Sequence, residues 1–203
     1  MNLPALTVFL EFASTYSFLT ALRMEGEAEK RGVALIVKPF LLGPIFVAKG
    51  WNTSPFVLDE AKGRYMVRDI ERRAHRHGLP PFHLNAPFPV HSVAAARLAL
   101  VALEEGWGMA AIKALFTAQH SENRSIADPK VLDAVISALS HAPERLRARM
   151  NEADIKDRLR ANSDEAAALG LIGAPSFVTA DGEIFWGDDR LEDALDWAAG
   201  KKM

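Results

Sequence analysis

The sequence predicts an α/β fold in two strand-bearing ends around a helical middle, and three observations carry that expectation. Short runs rich in Val, Leu, Ile and Phe that read as strands occur only before residue 41 and after residue 175. Between Leu58 and Leu171 no strand candidate appears, and the periodic stretches have helical spacing. At each end the strands alternate with a helix, as βαβ first and ββα last.

Each element has its own justification. Ala5–Phe12 is short and apolar, which suits a central strand buried on both faces. Tyr16–Arg31 reads as a helix stopped by Gly32 just past its end. Val33–Phe40 is a second strand, and strand–helix–strand with a glycine turn favours a right-handed parallel unit. Leu41–Pro55, with Gly43, Pro44, Gly50, Asn52 and Pro55, reads as a loop of functional length. Leu58–His77 is a charged helix with an inner stripe of Tyr65, Met66, Ile70 and Ala74. Gly78–Pro89 holds four prolines and reads as irregular. Helices are expected over Val90–Glu105, Met109–His120, Lys130–Leu139 behind an Asp128 cap and Pro129, a stretch opened by Pro143, and Asp154–Leu169. Ser176–Thr179 and Glu183–Trp186 read as strands joined by a two-residue Asp181–Gly182 turn. Asp189 to Glu192 has the spacing of a capping box before a last helix over Leu191–Ala199. This order is that of a thioredoxin-like fold with a large all-helical insertion between its βαβ and ββα halves. Residues 1–57 and 170–203 form that fold, and residues 58–169 an inserted helical domain.

Composition narrows the function. With 203 residues, 49% hydrophobic and 25% charged, the chain has an ordinary soluble globular make-up and length for a large core. The formal charge of −2 supplies no field for nucleic acid or an anionic membrane. No apolar run approaches ~20 residues, so no membrane span is expected. The start, MNLPALTVFLEF, lacks a basic region and carries Glu11 early, unlike a secretory leader. Zero cysteines exclude disulfides, thiolate metal sites and a disulfide oxidoreductase working through its own thiols, and fit a cytoplasmic setting. The six histidines show no metal-ligand spacing, so no metal is expected. His75 and His77 read as a solvated helix face, and Met24, Met66 and Met109 as core.

Three places offer chemistry. Ser14 stands at the turn from the first strand into the first helix, where backbone N–H groups and the helix dipole favour negative charge. Its local reading is a helix cap, worth ~1 kcal/mol. No G-x-S-x-G surrounds it and no histidine is marked as its base, so a Ser–His–Asp hydrolase is unsupported. Pro175 is consistent with a strand-edge device. In a thioredoxin-like arrangement it is also a cis proline beside the first turn, leaving the Ala174 backbone free to pair with an extended peptide. Of Asp188 and Asp189, one suffices to cap the last helix and the other is available to hold an ammonium group.

Through Phe12–Ala13–Ser14–Thr15–Tyr16–Ser17, Gly50–Trp51–Asn52–Thr53, Gly173–Ala174–Pro175–Ser176–Phe177 and Phe185–Trp186–Gly187–Asp188–Asp189–Arg190–Leu191, the chain resembles the 2-hydroxychromene-2-carboxylate isomerase family. That family is grouped with kappa-class glutathione transferases in the DsbA-like thioredoxin superfamily, and the resemblance spans nearly the whole chain. It implies glutathione as cofactor and a homodimer. It implies Ser14 as the catalytic serine that hydrogen-bonds the glutathione sulfur, with Thr15, Tyr16 and Asn52 as further contacts. It also implies backbone pairing at Ala174, and Asp188 and Asp189 at the γ-glutamyl end. Thr15 stands where the family commonly has proline, Glu11 where it has aspartate, and His91 where it has asparagine. Lys49 and Lys62 are the cations nearest the family's substrate-carboxylate region.

The implied chemistry is coherent. A free thiol near pKa ~8.5 is only a few per cent ionised at neutral pH, and a hydroxyl donor at a helix N-terminus favours its anion. The resemblance thus implies isomerisation of an aromatic ring-cleavage product by reversible thiol addition. Two alternatives stand beside it: a kappa-like transferase or peroxidase acting on another electrophile, and a non-catalytic thioredoxin-like binding protein.

Overall fold

The computed structural model describes residues 3–201. Met1, Asn2, Lys202 and Met203, which the expected domain limits and the leader reading include, lie outside the described residues. Four strands form one sheet in the order β2-β1-β3-β4: β1 Ala5–Leu10, β2 Ala34–Pro39, β3 Ser176–Thr179 and β4 Ile184–Trp186. β1 pairs with β2 in parallel and with β3 antiparallel, Phe9 lying opposite Ser176. That register matters for the site. The chain leaving the end of β1 and the chain entering β3 meet at the same end of the sheet, so residues just after Leu10 and just before Ser176 become neighbours.

Leu6, Val8, Phe9 and Leu10 of β1 are fully buried, as a central strand requires. Helix α1, Thr15–Arg31, is capped by Ser14 and ends at Gly32 with φ 63°. That left-handed geometry lets the Gly32 and Val33 N–H groups close on the Glu29 and Ala28 carbonyls. The segment 58–169 carries α4 Glu60–Arg76, α5 Val93–Glu104, α6 Gly108–His120, α7 Pro129–Ala138, α8 Pro143–Arg149 and α9 Ala153–Ala168. Among the described residues it holds no strand. α5, alanine-rich and buried over most of its surface, packs against β2, α6, α8 and α9. One apolar cluster runs from Leu6, Val8 and Leu10 through Phe18 and Met24 of α1 into Met66, Ile70, Leu98, Leu115 and Leu146. A smaller one, around Phe9, Phe40, Ile45 and Leu171, covers the other side of the sheet.

Four local expectations are corrected. Leu41–Pro55 is not all loop: Leu42–Ala48 forms α2, which seats Leu42 and Ile45 against Phe9 and Phe40. Gly43 and Pro44 in its first turn hid it, although proline is tolerated there. Pro55–Leu58 then makes the short α3 behind a Ser54 cap. The β3–β4 turn is a three-residue loop, since Thr179 N–H already bonds the Glu183 carbonyl and Gly182 takes φ 88°. Asp189 does not cap the last helix: a 3-10 turn over Asp188–Arg190 leads into α10, Leu191–Ala198, whose start has no side-chain cap. Tyr65 is 62% exposed, while Met66, Ile70 and Ala74 form the buried stripe of α4.

Candidate active site

The β1–α1 turn is built by its own residues. Ser14 N–H donates to the Glu11 carbonyl at 3.0 Å, and the Ser14 Oγ accepts from Ser17 N–H at 3.2 Å, starting α1. The same hydroxyl donates to the Ala174 carbonyl at 2.8 Å, across 160 positions of sequence. Ser14 is therefore a helix cap and, at once, the contact between the first turn and the approach to β3. The Ala174–Pro175 peptide is cis. The Ala174 carbonyl, expected to be free, is taken by Ser14.

These residues line a cavity of about 760 Å³. The turn gives it Glu11, Ala13, Ser14, Thr15 and Tyr16; α2 and the loop after it give Phe46, Lys49 and Trp51. Lys62, Tyr65, Asp69 and Arg73 of α4 form the facing wall, and Phe88 and Pro89 close one side. Ile172, Gly173, Ala174, Trp186 and Asp189 complete it from the sheet side. Gly173 is required by a close approach: a Cβ there would stand 2.4 Å from the Trp186 indole nitrogen.

The polar groups are unequal. Tyr16 donates to Asp69 Oδ2 at 3.1 Å, and burial together with the Asp69 charge pushes its phenol pKa up, so it stays protonated. Thr15, 2% exposed, donates to the Met66 sulfur at 3.1 Å, tying the turn to α4. The Lys49 ammonium lies 5.7 Å over the Trp51 ring and has no carboxylate partner among the described residues. Glu11 is buried beside the turn and accepts from Ser92 Oγ and from Ala13 N–H at 3.1 Å, both on Oε1. Burial raises its pKa, against the hydrogen bonds from Ser92, Ala13 and Phe12. Behind the turn, His120 Nε2 lies 3.3 Å from the Phe12 carbonyl, and burial pulls the imidazole pKa down to about 4. The ring is neutral at pH 7 and donates to that carbonyl, leaving Nδ1 without a partner among the described residues.

Of the residues expected at a site, Ser14, Thr15, Tyr16, Ala174 and Asp189 are brought together. Asn52 is exposed and outside the cavity wall, although its neighbour Trp51 is part of it. Asp188 is behind the wall and fully buried. Its Oδ1 accepts from Thr20 at 2.9 Å and from Arg23 Nε at 3.1 Å, and its Oδ2 from Arg73 Nη2 at 2.6 Å and Nε at 3.2 Å. It has no lone pair spare for a ligand ammonium, whereas the exposed Asp189 faces the cavity and pairs with Arg190 at 3.2 Å. Sequence reasoning passed over Asp69, Arg73 and Trp186 as wall residues. Lys62, Tyr65, Asp69 and Arg73 recur at helical spacing, a signal that looks the same for a solvated face and for a cavity wall. Among the described residues no His, Asp or Glu cluster is arranged to hold a metal, and no helix is long and apolar enough to cross a membrane.

Comparison with known proteins agrees with this frame. A structure of 2-hydroxychromene-2-carboxylate isomerase superposes with a TM-score of 0.82 at 20% identity, covering 97% of this chain and 94% of that one. A probable DsbA oxidoreductase from Streptomyces coelicolor gives 0.76 at 20% identity, with 98% and 91% covered. The cytosolic disulfide reductase DsbM from Pseudomonas aeruginosa, in a structure with GSH, gives 0.67 at 18% identity, with 97% and 96% covered. At such identities the likeness is one of fold, and these neighbours are isomerase and disulfide oxidoreductase enzymes. No curated protein sequence matches the chain. The model of the DSBA-like thioredoxin domain matches residues 5–196, and on that match, over a sheet and helical middle of the same design, the chain belongs to the DsbA-like thioredoxin family.

Proposed function

We propose that the protein is a glutathione-dependent isomerase acting on a 2-hydroxychromene-2-carboxylate-type product of aromatic ring cleavage. The observation that carries this reading is the 2.8 Å contact between Ser14 Oγ and the Ala174 carbonyl on the wall of the large cavity, at the N-terminus of α1. The residues present fit a small thiol peptide. The chain has no cysteine, so a thiol has to be supplied. Glutathione supplies the sulfur nucleophile.

Ser14 turns its hydroxyl from the Ala174 carbonyl toward the sulfur and, with the first N–H groups of α1, favours the anion. The Ala174 carbonyl, so released, accepts a peptide N–H as an added strand would. Asp189 holds the ammonium end by a charge-assisted bond. Asp188 serves indirectly, as the counter-ion that fixes Arg73 on the wall. Asn52 lies off the wall in this conformation, and its side chain has to swing in to contribute. Phe46, Trp51, Phe88 and Trp186 offer flat apolar surface to an aromatic substrate, and Lys49 a cation for its carboxylate. The reading includes a cytoplasmic homodimer, which sedimentation of the purified protein tests.

The experiment is a glutathione titration of the wild type and Ser14→Ala, with thiolate absorbance recorded, followed by turnover of 2-hydroxychromene-2-carboxylate. The wild type is expected to bind, to show thiolate and to isomerise, and Ser14→Ala to lose most of the thiolate signal. An unchanged signal in Ser14→Ala reduces Ser14 to a helix cap. Turnover of an aryl halide without chromene isomerisation shows a kappa-like transferase instead, and absence of binding a non-catalytic thioredoxin-like protein.

A further inference from the structure

Glu11 is a buried carboxyl that the reaction described above leaves unused. It follows directly on β1, three positions before Ser14, and lines the same cavity. The hydrogen bonds from Ser92 Oγ and from Ala13 N–H both fall on Oε1, while the Phe12 N–H is the smallest of the influences on this carboxyl. Oε2 takes neither, which leaves that oxygen for a proton or a ligand. We propose that Glu11 is a catalytic acid: it delivers a proton from Oε2 to the carbonyl oxygen of the bound substrate.

The surroundings favour the neutral acid. Burial is the largest influence on Glu11, and its other perturbing neighbours are the Ser92 hydroxyl and the N–H groups of Ala13 and Phe12, with no ionised side chain among them. From β1 and its turn, Tyr16 is held protonated; from α6, His120 is neutral and bonded to the Phe12 carbonyl. From the facing wall, Asp69 is occupied by Tyr16 and Arg73 by Asp188, while Lys49, Lys62 and Asp189 stand elsewhere on the lining. Burial with no ionised side chain among these neighbours moves the Glu11 pKa upward and so favours its protonated form.

The step balances. As the conjugated substrate takes up an electron pair, negative charge collects on its carbonyl oxygen. The Oε2–H bond of Glu11 breaks and an O–H bond forms on the substrate, giving an enol. Glu11 is left as a carboxylate held by Ser92 and Ala13. When the carbonyl is restored the same proton returns to Oε2, so no net proton is consumed. A neutral donor suits this task, because it gives up its proton only when charge develops opposite it.

The proposal rests on the isomerase reading for its reaction, but the state of the acid is testable without it. Infrared difference spectra of the ligand-free wild type are expected to show a protonated carboxyl band at neutral pH that is missing in Glu11→Gln. In Ser92→Ala, which removes a hydrogen bond that lowers the Glu11 pKa, the band should persist to higher pH. With glutathione present, Glu11→Gln should bind it within about twofold of the wild type yet turn over about a hundredfold more slowly. It should also lose the alkaline fall of the wild-type pH–rate profile, and that fall should move upward in Ser92→Ala. A Glu11 that titrates as an ordinary glutamate overturns the proposal, whatever the fate of the glutathione reading. So does a Glu11→Gln variant that isomerises normally, or one that loses glutathione binding together with activity. A wild type that shows the band but binds no glutathione overturns the isomerase reading and, with it, the step assigned to the acid.

Discussion

The turn that carries Ser14 is held from behind by a histidine that burial keeps neutral at pH 7. His120 packs among Phe18, Phe82 and Phe116, 1% exposed, with its Nε2 on the Phe12 carbonyl of the turn. Its pKa falls from 6.5 to about 4 because burial penalises the imidazolium. The sign follows from proton binding. The unfolded chain takes up a proton near pH 6.5 and the folded one only near 4. The stabilising preference for neutral His120 is thus fully present above the unfolded value and is lost as pH falls toward the folded value. The difference amounts to about 3 kcal/mol at most. Denaturant unfolding at pH 7 and pH 4 should show wild type losing more stability than His120→Gln by roughly that amount. Equal losses in the two proteins would mean that another group governs the acid limb. Glu11, on the cavity side of the turn, has the opposite sign, being favoured by low pH. The turn is thus flanked by two groups whose neutral forms burial favours, one destabilised as pH falls and the other as pH rises.

Helices α1 and α4 and the 3-10 turn after β4 are joined by one carboxylate. Asp188 is fully buried, and the Arg23 side chain that pairs with it is 8% exposed, while Arg23 also reaches Glu192 at the start of α10. Removing the anion leaves two guanidinium groups around an empty buried site, which costs about 3–5 kcal/mol. Asp188→Ala should therefore lower the urea midpoint steeply, whereas Arg190→Ala, which breaks only exposed pairs, should stay within about 0.5 kcal/mol of wild type. A small effect in Asp188→Ala would show that the arginines find water instead. This pin also marks where the sequence stops being legible. The strands, the long helices and the Gly32 stop were readable because period and caps are local. Asp188 and Asp189 side by side read as a cap and a spare, since the partners of Asp188 lie 165 and 115 positions away on Arg23 and Arg73. Ser14 and Ala174 were legible as a pair only because the expected fold brings the end of the first strand beside the start of the third. Asp69 and Arg73 had no such guide, because α4 shows the same charged spacing whether it faces water or a cavity.

Across the whole molecule, the question is whether the helical segment 58–169 is a domain in the energetic sense. A chain of 203 residues is beyond the size where one cooperative transition is the default. The packing argues for one transition all the same. The apolar cluster that contains Leu6, Val8 and Leu10 of the sheet also contains Met66, Ile70, Leu98, Leu115 and Leu146. α5 packs against β2, and α6 against α1. Unfolding the helical segment alone would uncover β2 where α5 and α9 pack on it, and strip the cavity of its α4 wall. Thermal unfolding followed by far-ultraviolet circular dichroism, dominated by helix, should coincide with unfolding followed by tryptophan fluorescence. Trp107 reports from the helical segment, and Trp51, Trp186 and Trp197 from the rest. Two separated transitions would show that the segment is an independent domain. Ligand sharpens the comparison, because a molecule bound at a wall contributed by both parts stabilises them together. At a hundredfold excess over its dissociation constant that contribution is about 2.7 kcal/mol, whatever the ligand's identity. Glutathione, if it binds where Ser14 meets Ala174 and α4 closes the cavity, should therefore move both signals upward by the same amount. A shift in the fluorescence of Trp51 and Trp186 without a matching shift in the helical signal would separate the cavity from the core that supports it.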